Sequence, residues 1–277
     1  MATKIGIVGM GLIGGSLGLA LKQRTNHTVI GIDCDSAVID AVLSSGAADK
    51  TGVQHLNQAD LVIIALSPDA TVDFLNENAA NLRPGTIVTD VCGVKRQIMK
   101  HCVPLCWERG LHFVGGHPMA GRERSGFANA DACLFEGAYY IFTPPKGTPE
   151  HVVNLLKQVA MQIGCTGVTV TTPEHHDKMI AFTSQLPHVL AGAYVKSPNC
   201  PEHSGFSAGS YRDVSRVATV DETLWSQLFL LNKDNLCFEI DNLISNLKQY
   251  RDAVDAGNTQ LIAEILSDGR GRKENFG

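Results

Sequence analysis

Two stretches of this chain carry residue types that can do chemistry. The first is FVGGHPMAGRERSGF, residues 113–127, in which His117 lies between glycines and a proline and is followed by Arg122, Glu123 and Arg124. That much glycine and proline suits neither a helix nor a regular strand, so His117 belongs to a loop after a short apolar run. Imidazole titrates near neutrality, which suits it to take or give a proton. Two other uses compete, a structural loop residue and a metal ligand. His112, His175, His176 and Glu174 could join His117 around a metal. None has the His-x-x-x-His or Cys-x-x-Cys spacing that pre-arranges such a site, so no metal is expected.

The second stretch is KIGIVGMGLIGGSLGLALKQ, which opens near the N-terminus with a short β-branched strand, then Gly9, Gly11 and Gly14 in a Gly-x-Gly-x-x-Gly array, then a helix. The first glycine allows a tight turn, the second lets a pyrophosphate approach the backbone, and the third lets helix and strand pack closely. The phosphates then sit at the helix N-terminus, where free N–H groups favour anions. Gly9, Met10, Gly11, Leu12, Ile13 and Gly14 are the expected contacts. A second strand, TVIGID, ends at Asp33, within the roughly 20 residues expected after the array. A carboxylate there accepts hydrogen bonds from both ribose hydroxyls and repels a 2′-phosphate, which favours NAD over NADP. Asp35 is close enough to blur the assignment. Beside a nicotinamide, His117 would take the hydroxyl proton of an alcohol while hydride leaves for NAD.

These groups need a frame. Strand-like runs (ADLVIIALSP, PGTIVTDVCGVK, LHFVGGHP, GAYYIFTP and CTGVTVTT) mostly alternate with helical ones (ATVDFLNENAANL, RQIMKHCVPLCWERG and PEHVVNLLKQVAMQIG). That pattern predicts an α/β, doubly wound, Rossmann-type parallel sheet over residues 1–170. Ligands of such sheets bind beyond the carboxyl ends of the strands, so Ser67, Pro68, Gly93 and His117 should line one crevice beside the nucleotide.

From residue 171 to 277 the pattern turns all-helical. PEHHDKMIAFTSQLPHVLAGAYVKS should kink at Pro187, DETLWSQLFLLNKDNLCFEIDNLISNLKQYRDAV forms one long run, and the charged tail DGRGRKENFG should fray. Long apolar-faced helices in so small a region suggest burial against a second copy, hence a homodimer through the C-terminal helices. With 277 residues, 44% hydrophobic and 18% charged, the chain can build real cores. A net charge of −5 without a basic run gives no reason to expect nucleic acid. No apolar run is long enough for a membrane span, and the glycine-rich start differs from a signal peptide. The eight cysteines form no Cys-x-x-Cys pair and are expected as reduced thiols in a cytoplasm.

GHPMAGRERSGF resembles the GHPMAGxExxG signature of prephenate/arogenate dehydrogenases, and other motifs of that family follow in order. DVCGVK, residues 90–95, stands where the family has DxxSxK. HHDKMIAFTSQLPH, residues 175–188, is similar to HDxxxAxxSHLPH, and GSYRDVSRVATVDETLW, residues 209–225, to GxxxDxTRIAxxxxxxW. The resemblance implies oxidative decarboxylation in tyrosine biosynthesis: NAD takes hydride from the ring carbon bearing the hydroxyl of prephenate, CO2 leaves, and 4-hydroxyphenylpyruvate forms. Arogenate, giving tyrosine directly, is the alternative substrate. It further implies His117 as the group that accepts the hydrogen bond of that hydroxyl. Arg216 would bind a carboxylate of the dianionic substrate, His188 and His176 would contact it, Trp225 would line the pocket, and Glu123 would stand near the entrance. Arg212 and Asp213 match a charged pair that reaches a neighbouring subunit's site.

The chain departs from the pattern at three positions. Gly93 replaces the family serine, so a water or another side chain must help orient His117, or the site is less well ordered; Gln185 replaces the middle histidine of SHLPH; and Arg122, where a small residue is usual, adds a cation for the side-chain carboxylate. His176 and His188 are about 18 Å apart along a straight helix, so both touch one substrate only if the helix bends. Two further readings are a related hydroxyacid or imine dehydrogenase that uses Lys178, and a nucleotide-binding regulator that has lost catalysis.

Overall fold

The computed structural model describes residues 2–122 and 124–276. Eight strands form one sheet: β1 (Lys4–Val8), β2 (Thr28–Ile32), β3 (Lys50–Thr51), β4 (Leu61–Ile64), β5 (Ile87–Asp90), β6 (His112–Pro118), β7 (Tyr139–Thr143) and β8 (Gly167–Val170). Their order is β3-β2-β1-β4-β5-β6-β7-β8. The order reverses direction at β1, and the glycine loop leaves β1 at that switch point. The central strands are buried on both faces, which is why they read as unbroken apolar runs. In β4, Leu61 and Ile63 face one core with Leu17, Leu21 and Leu156, while Val62 and Ile64 face the other with Leu75, Ile98 and Cys102.

Five helices cover the sheet: α1 (Leu12–Arg24), α2 (Ser36–Ser44), α3 (Pro68–Asn78), α4 (Arg96–Trp107) and α5 (Glu150–Gln162). One expectation is corrected. β7 runs antiparallel to β6, with His117 opposite Ile141 and Pro118 opposite Tyr140, while the other strand pairs are parallel. The link between β6 and β7 holds no crossover helix, and strands so joined pair antiparallel. That link folds back over the start of α1. A Cβ on Gly15 would lie 2.6 Å from the Phe127 ring and 2.9 Å from Ala130, so a glycine lets the link close in. Ser16 Oγ accepts from Asp131 N–H at 2.9 Å.

After β8 the chain is helical: α6 (Pro173–Ile180), a π-type turn (Ala181–Gln185), α7 (Leu186–Tyr194), α8 (Gly209–Ser215), α9 (Glu222–Leu231), α10 (Lys233–Asp255) and α11 (Thr259–Phe276). The bend expected at Pro187 is absorbed by the widened turn just before it, which accommodates the missing proline N–H. The long run expected from 221 onward breaks at Asn232 into α9 and α10. The tail expected to fray is helical to Phe276, supported by the Asp268–Arg272 pair one turn apart. Among the described residues no helix is long and apolar enough to cross a membrane, and all eight cysteines are free thiols.

The tightest constraint in the sheet is at Gly14. A Cβ there would lie 1.9 Å from the Gly9 carbonyl oxygen, and Gly9 already sits at φ 84°. Gly14→Ala should cost about 3 kcal/mol or more, since backbone rather than a side chain must give way. Urea unfolding of the variant measures it.

Candidate active site

The glycine loop is shaped by what a side chain would hit. Gly9 and Gly14 close the turn, whereas a Cβ on Gly11 would meet nothing within 4 Å, so the space over that backbone is open. Gly11 is the N-cap of α1 and brings no side-chain cap, which leaves the first N–H groups of the helix for an anion. Leu12 and Ile13 are partly exposed on this turn, while Met10 points into the core and offers only backbone. Asp33, at the end of β2, accepts from Met10 N–H at 2.8 Å and thereby fixes the loop. Asp35 is spent on capping α2 through Ala37 N–H at 2.8 Å. The two acids that the sequence left ambiguous are thus separated by their partners. Ser67 stands at the N-cap position of α3 with its hydroxyl making no cap hydrogen bond, and Pro68 begins the helix, just beyond β4. This donor set and open backbone fit a dinucleotide pyrophosphate.

His117 sits near the end of β6, held by its ladder with β7. Its Nδ1 lies 2.9 Å from His176 Nε2 on α6, and His176 Nδ1 lies 2.8 Å from Asp177 Oδ1. Asp177 also accepts from Lys95 N–H at 2.7 Å, Arg96 N–H at 2.9 Å and Arg96 Nε at 3.2 Å, so it caps the start of α4. Beside this chain the Lys95 ammonium pairs with Asp90, both fully buried. Asp90 accepts from Cys92 N–H at 2.9 Å and Gly116 N–H at 3.1 Å, one residue before His117. Arg96 reaches on to Asp234 at 2.8 Å and Asn232 at 3.1 Å at the start of α10. Packing, then His176 and the Lys95 ammonium, hold His117 well below its ordinary pKa. Burial lowers His176 as well, against the pull of Asp177. At Asp177 burial opposes ionisation, but hydrogen bonds from His176 and the α4 backbone outweigh it and keep the carboxyl below its usual range.

The helical side closes over this centre. A Cβ on Gly93 would sit 3.7 Å from Leu228 of α9 and 3.9 Å from His117 Cε1, ordinary contact distances. One turn earlier on α9, Trp225 stacks on His188 of α7 with ring centroids 3.7 Å apart. Arg216 opens a short 3-10 turn after α8 that packs against α7. Gln185 is a buried peg: it donates to the Leu228 carbonyl at 3.2 Å and accepts from Asn232 at 2.8 Å.

The expected site residues therefore divide. His117, Gly93 and His176 come together, with His188 and Trp225 on the helix side. His176 is 1% exposed and both its nitrogens are engaged, so the expected substrate contact becomes a contact with His117. Arg122 pairs with Asp131 on the link that folds over α1, and so its carboxylate partner is internal. Arg212 and Asp213 are exposed on α8. Glu123 lies outside the described residues. Lys178 is exposed, whereas its neighbour Asp177 is the buried anchor. Sequence reasoning missed Asp90, Lys95, Arg96, Asp177 and Asn232 as parts of the site. Asp90 and Lys95 were visible as charges at the end of a buried strand, but their pairing is tertiary.

The family model for the prephenate dehydrogenase nucleotide-binding domain matches residues 17–169, and that for the dimerization domain matches 172–268. The chain belongs to the prephenate dehydrogenase family. A prephenate dehydrogenase from Bacillus subtilis (strain 168) is 33% identical over 274 residues, spanning 95% of this chain and 73% of the relative. A prephenate dehydrogenase from A. aeolicus, solved with hydroxyphenyl propionate and NAD+, superposes with a TM-score of 0.87 at 26% identity, covering 100% of this chain and 99% of that one. A Synechocystis arogenate dehydrogenase gives a TM-score of 0.84 at 26% identity, covering 99% and 100%. The enzyme class is that of an NAD-dependent oxidoreductase.

Breaking the buried pair should be costly. Lys95→Met leaves the Asp90 carboxylate buried without its counter-charge and should lower stability by about 3–5 kcal/mol, read from chemical unfolding at pH 7.

Proposed function

We propose that this protein is a prephenate dehydrogenase of tyrosine biosynthesis, converting prephenate to 4-hydroxyphenylpyruvate and CO2, with His117 as the group that handles the hydroxyl proton. The observation that carries this reading is His117 at the end of β6, between Gly116 and Pro118, with its Nδ1 2.9 Å from His176 Nε2 and its Nε2 without a hydrogen-bond partner among the described residues. Residues 1–170 form the nucleotide domain and 171–277 the helical one.

Bound in the glycine cradle, NAD supplies the hydride acceptor. Gly9 through Gly14 present backbone N–H groups to the pyrophosphate, Asp33 is placed for the ribose, and Ser67 and Pro68 border the nucleotide. His117 accepts the hydroxyl proton as the ring carbon loses hydride. Loss of the ring carboxylate as CO2 leaves its electron pair in the ring, which becomes aromatic, and His117 returns the proton to the phenol oxygen. The substrate is a dianion, and Arg216, on the 3-10 turn that packs against α7, is the carboxylate partner, since guanidinium binds carboxylate bidentately. By the same resemblance Arg212 and Asp213 serve the neighbouring subunit's site, Glu123 belongs to the signature, and Arg122 can exchange its exposed Asp131 partner for a substrate carboxylate. Arogenate stays as the alternative substrate because it differs only in an ammonium for the keto group.

The enzyme acts as a homodimer in a reducing compartment such as the cytoplasm. Leu230, Phe238, Ile244, Leu247 and Val254 on α9 and α10 are all more than half exposed in the single chain, an apolar surface that asks for a partner.

His117→Asn should lower kcat with prephenate by about 10²–10⁴-fold, followed as NADH formation at 340 nm with prephenate and arogenate in parallel. NAD binding, followed by fluorescence, should be retained. Turnover of arogenate alone would move the substrate, and no turnover of either would sink the assignment. Because the folded imidazole binds its proton weakly, it stays neutral to below pH 6.5. The acid limb of kcat/KM should therefore lie below 6.5 rather than at it. A Phe238→Glu/Ile244→Glu double variant should sediment as a monomer where the wild type sediments as a dimer.

A further inference from the structure

We propose that Asp177 and His176 are positioning residues that set the tautomer of His117. Asp177 keeps the His176 proton on Nδ1, His176 Nε2 takes the Nδ1–H of His117, and the lone pair of His117 Nε2 is left for the substrate hydroxyl. The inference rests on the reading of His117 as the proton-handling group.

The argument is one of polarity. In a row of two neutral imidazoles every hydrogen bond could run either way. An ionised carboxylate at one end removes that freedom, because it can only accept. Asp177 is such an end: three donors from the start of α4, Lys95 N–H, Arg96 N–H and Arg96 Nε, converge on it at 2.7–3.2 Å. His176 must then donate from Nδ1 across 2.8 Å, which makes its Nε2 an acceptor. Across the next 2.9 Å the donor must be His117 Nδ1. Only Nε2 of His117 remains as a base, and it has no hydrogen-bond partner among the described residues and is not one of the buried unsatisfied atoms. His176 is 1% exposed, so water does not compete for its nitrogens.

Gly93 makes this arrangement carry more in this chain. A glycine offers no hydroxyl beside His117, and the nearest helix side chain there, Leu228, is apolar. The His176 contact is therefore the hydrogen bond that holds the ring. The charged groups facing the pair are few: the Lys95 ammonium and Asp90 carboxylate from the β5–α4 side, the Arg96 guanidinium, and Asp177 itself from α6. Lys95 discourages a lasting imidazolium, while Asp177, through His176, stabilises the transient one.

The experiment uses full-length protein with four forms: wild type, His176→Gln, Asp177→Asn and His117→Asn. Nitrogen-15 NMR of histidine-labelled wild type should show His117 protonated on Nδ1 and bare on Nε2 at pH 7.5. His176→Gln should lower kcat by about 10-fold to 10³-fold, with KM for NAD and for prephenate within about two-fold, and should mix the His117 tautomers. Asp177→Asn should do the same wherever it folds. A wild-type His117 protonated on Nε2 would overturn the proposal. So would a His176→Gln enzyme with kcat within two-fold of wild type, or one whose loss lies wholly in KM. Should His117→Asn itself keep wild-type kcat, the reading of His117 fails, which is a different result from a failure of the pair.

Discussion

Asp177 is an ionised carboxylate shut away from water at the seam between sheet and helices, and an unpaired charge there would cost several kcal/mol. Its partners are therefore obligatory, and they come from both halves of the chain. The N–H groups of Lys95 and Arg96 leave the sheet side, His176 approaches from the helix side, and Arg96 continues to Asn232 and Asp234. One anion thus caps α4, holds α6 against the sheet and orients the imidazole that reaches His117. A buried polar network of this kind is stable only when every member is satisfied, and among the described residues no buried side-chain polar atom lacks a partner.

The sheet supplies the other half of the placement. β1 delivers the glycine turn to the switch point, and β6 delivers His117 at its end. The antiparallel return of β7 pins His117 and Pro118 by backbone pairing, so the histidine is mounted on a strand rather than on a free loop. The long link that follows folds over α1, which brings the segment after His117 against the start of the nucleotide helix. The strand end that carries His117 thus also sends the chain onto the helix that follows the glycine turn.

The glycine array, Asp33 and His117 were legible in the sequence because their chemistry depends on local geometry: a turn, a strand end, a helix start. The alternation of strands and helices was legible for the same reason. The direction of β7 was not, since an antiparallel pair is chosen by a missing crossover and the sequence shows only a strand. The tail, expected to fray, is helical despite its two glycines, with exposed ion pairs one turn apart along it. Gln185 stands in the sequence only as the replacement of a family histidine. It proves to be a peg between the π-type turn, α9 and Asn232.

By itself, then, the amino-acid sequence determined the glycine turn at the start of the sheet, the helical second half and the histidine at the end of β6. Each follows from residues near one another in the chain. Only the tertiary structure decided which acid faces the cradle and which caps a helix. It alone placed His176 against His117, with both its ring nitrogens engaged, and matched Lys95 with Asp90. Those assignments depend on which charges find partners once the chain is folded, the buried Asp90 with Lys95 five residues on and the buried Asp177 with Arg96 81 residues before it. Desolvation imposes that pairing only when the chain has closed on itself.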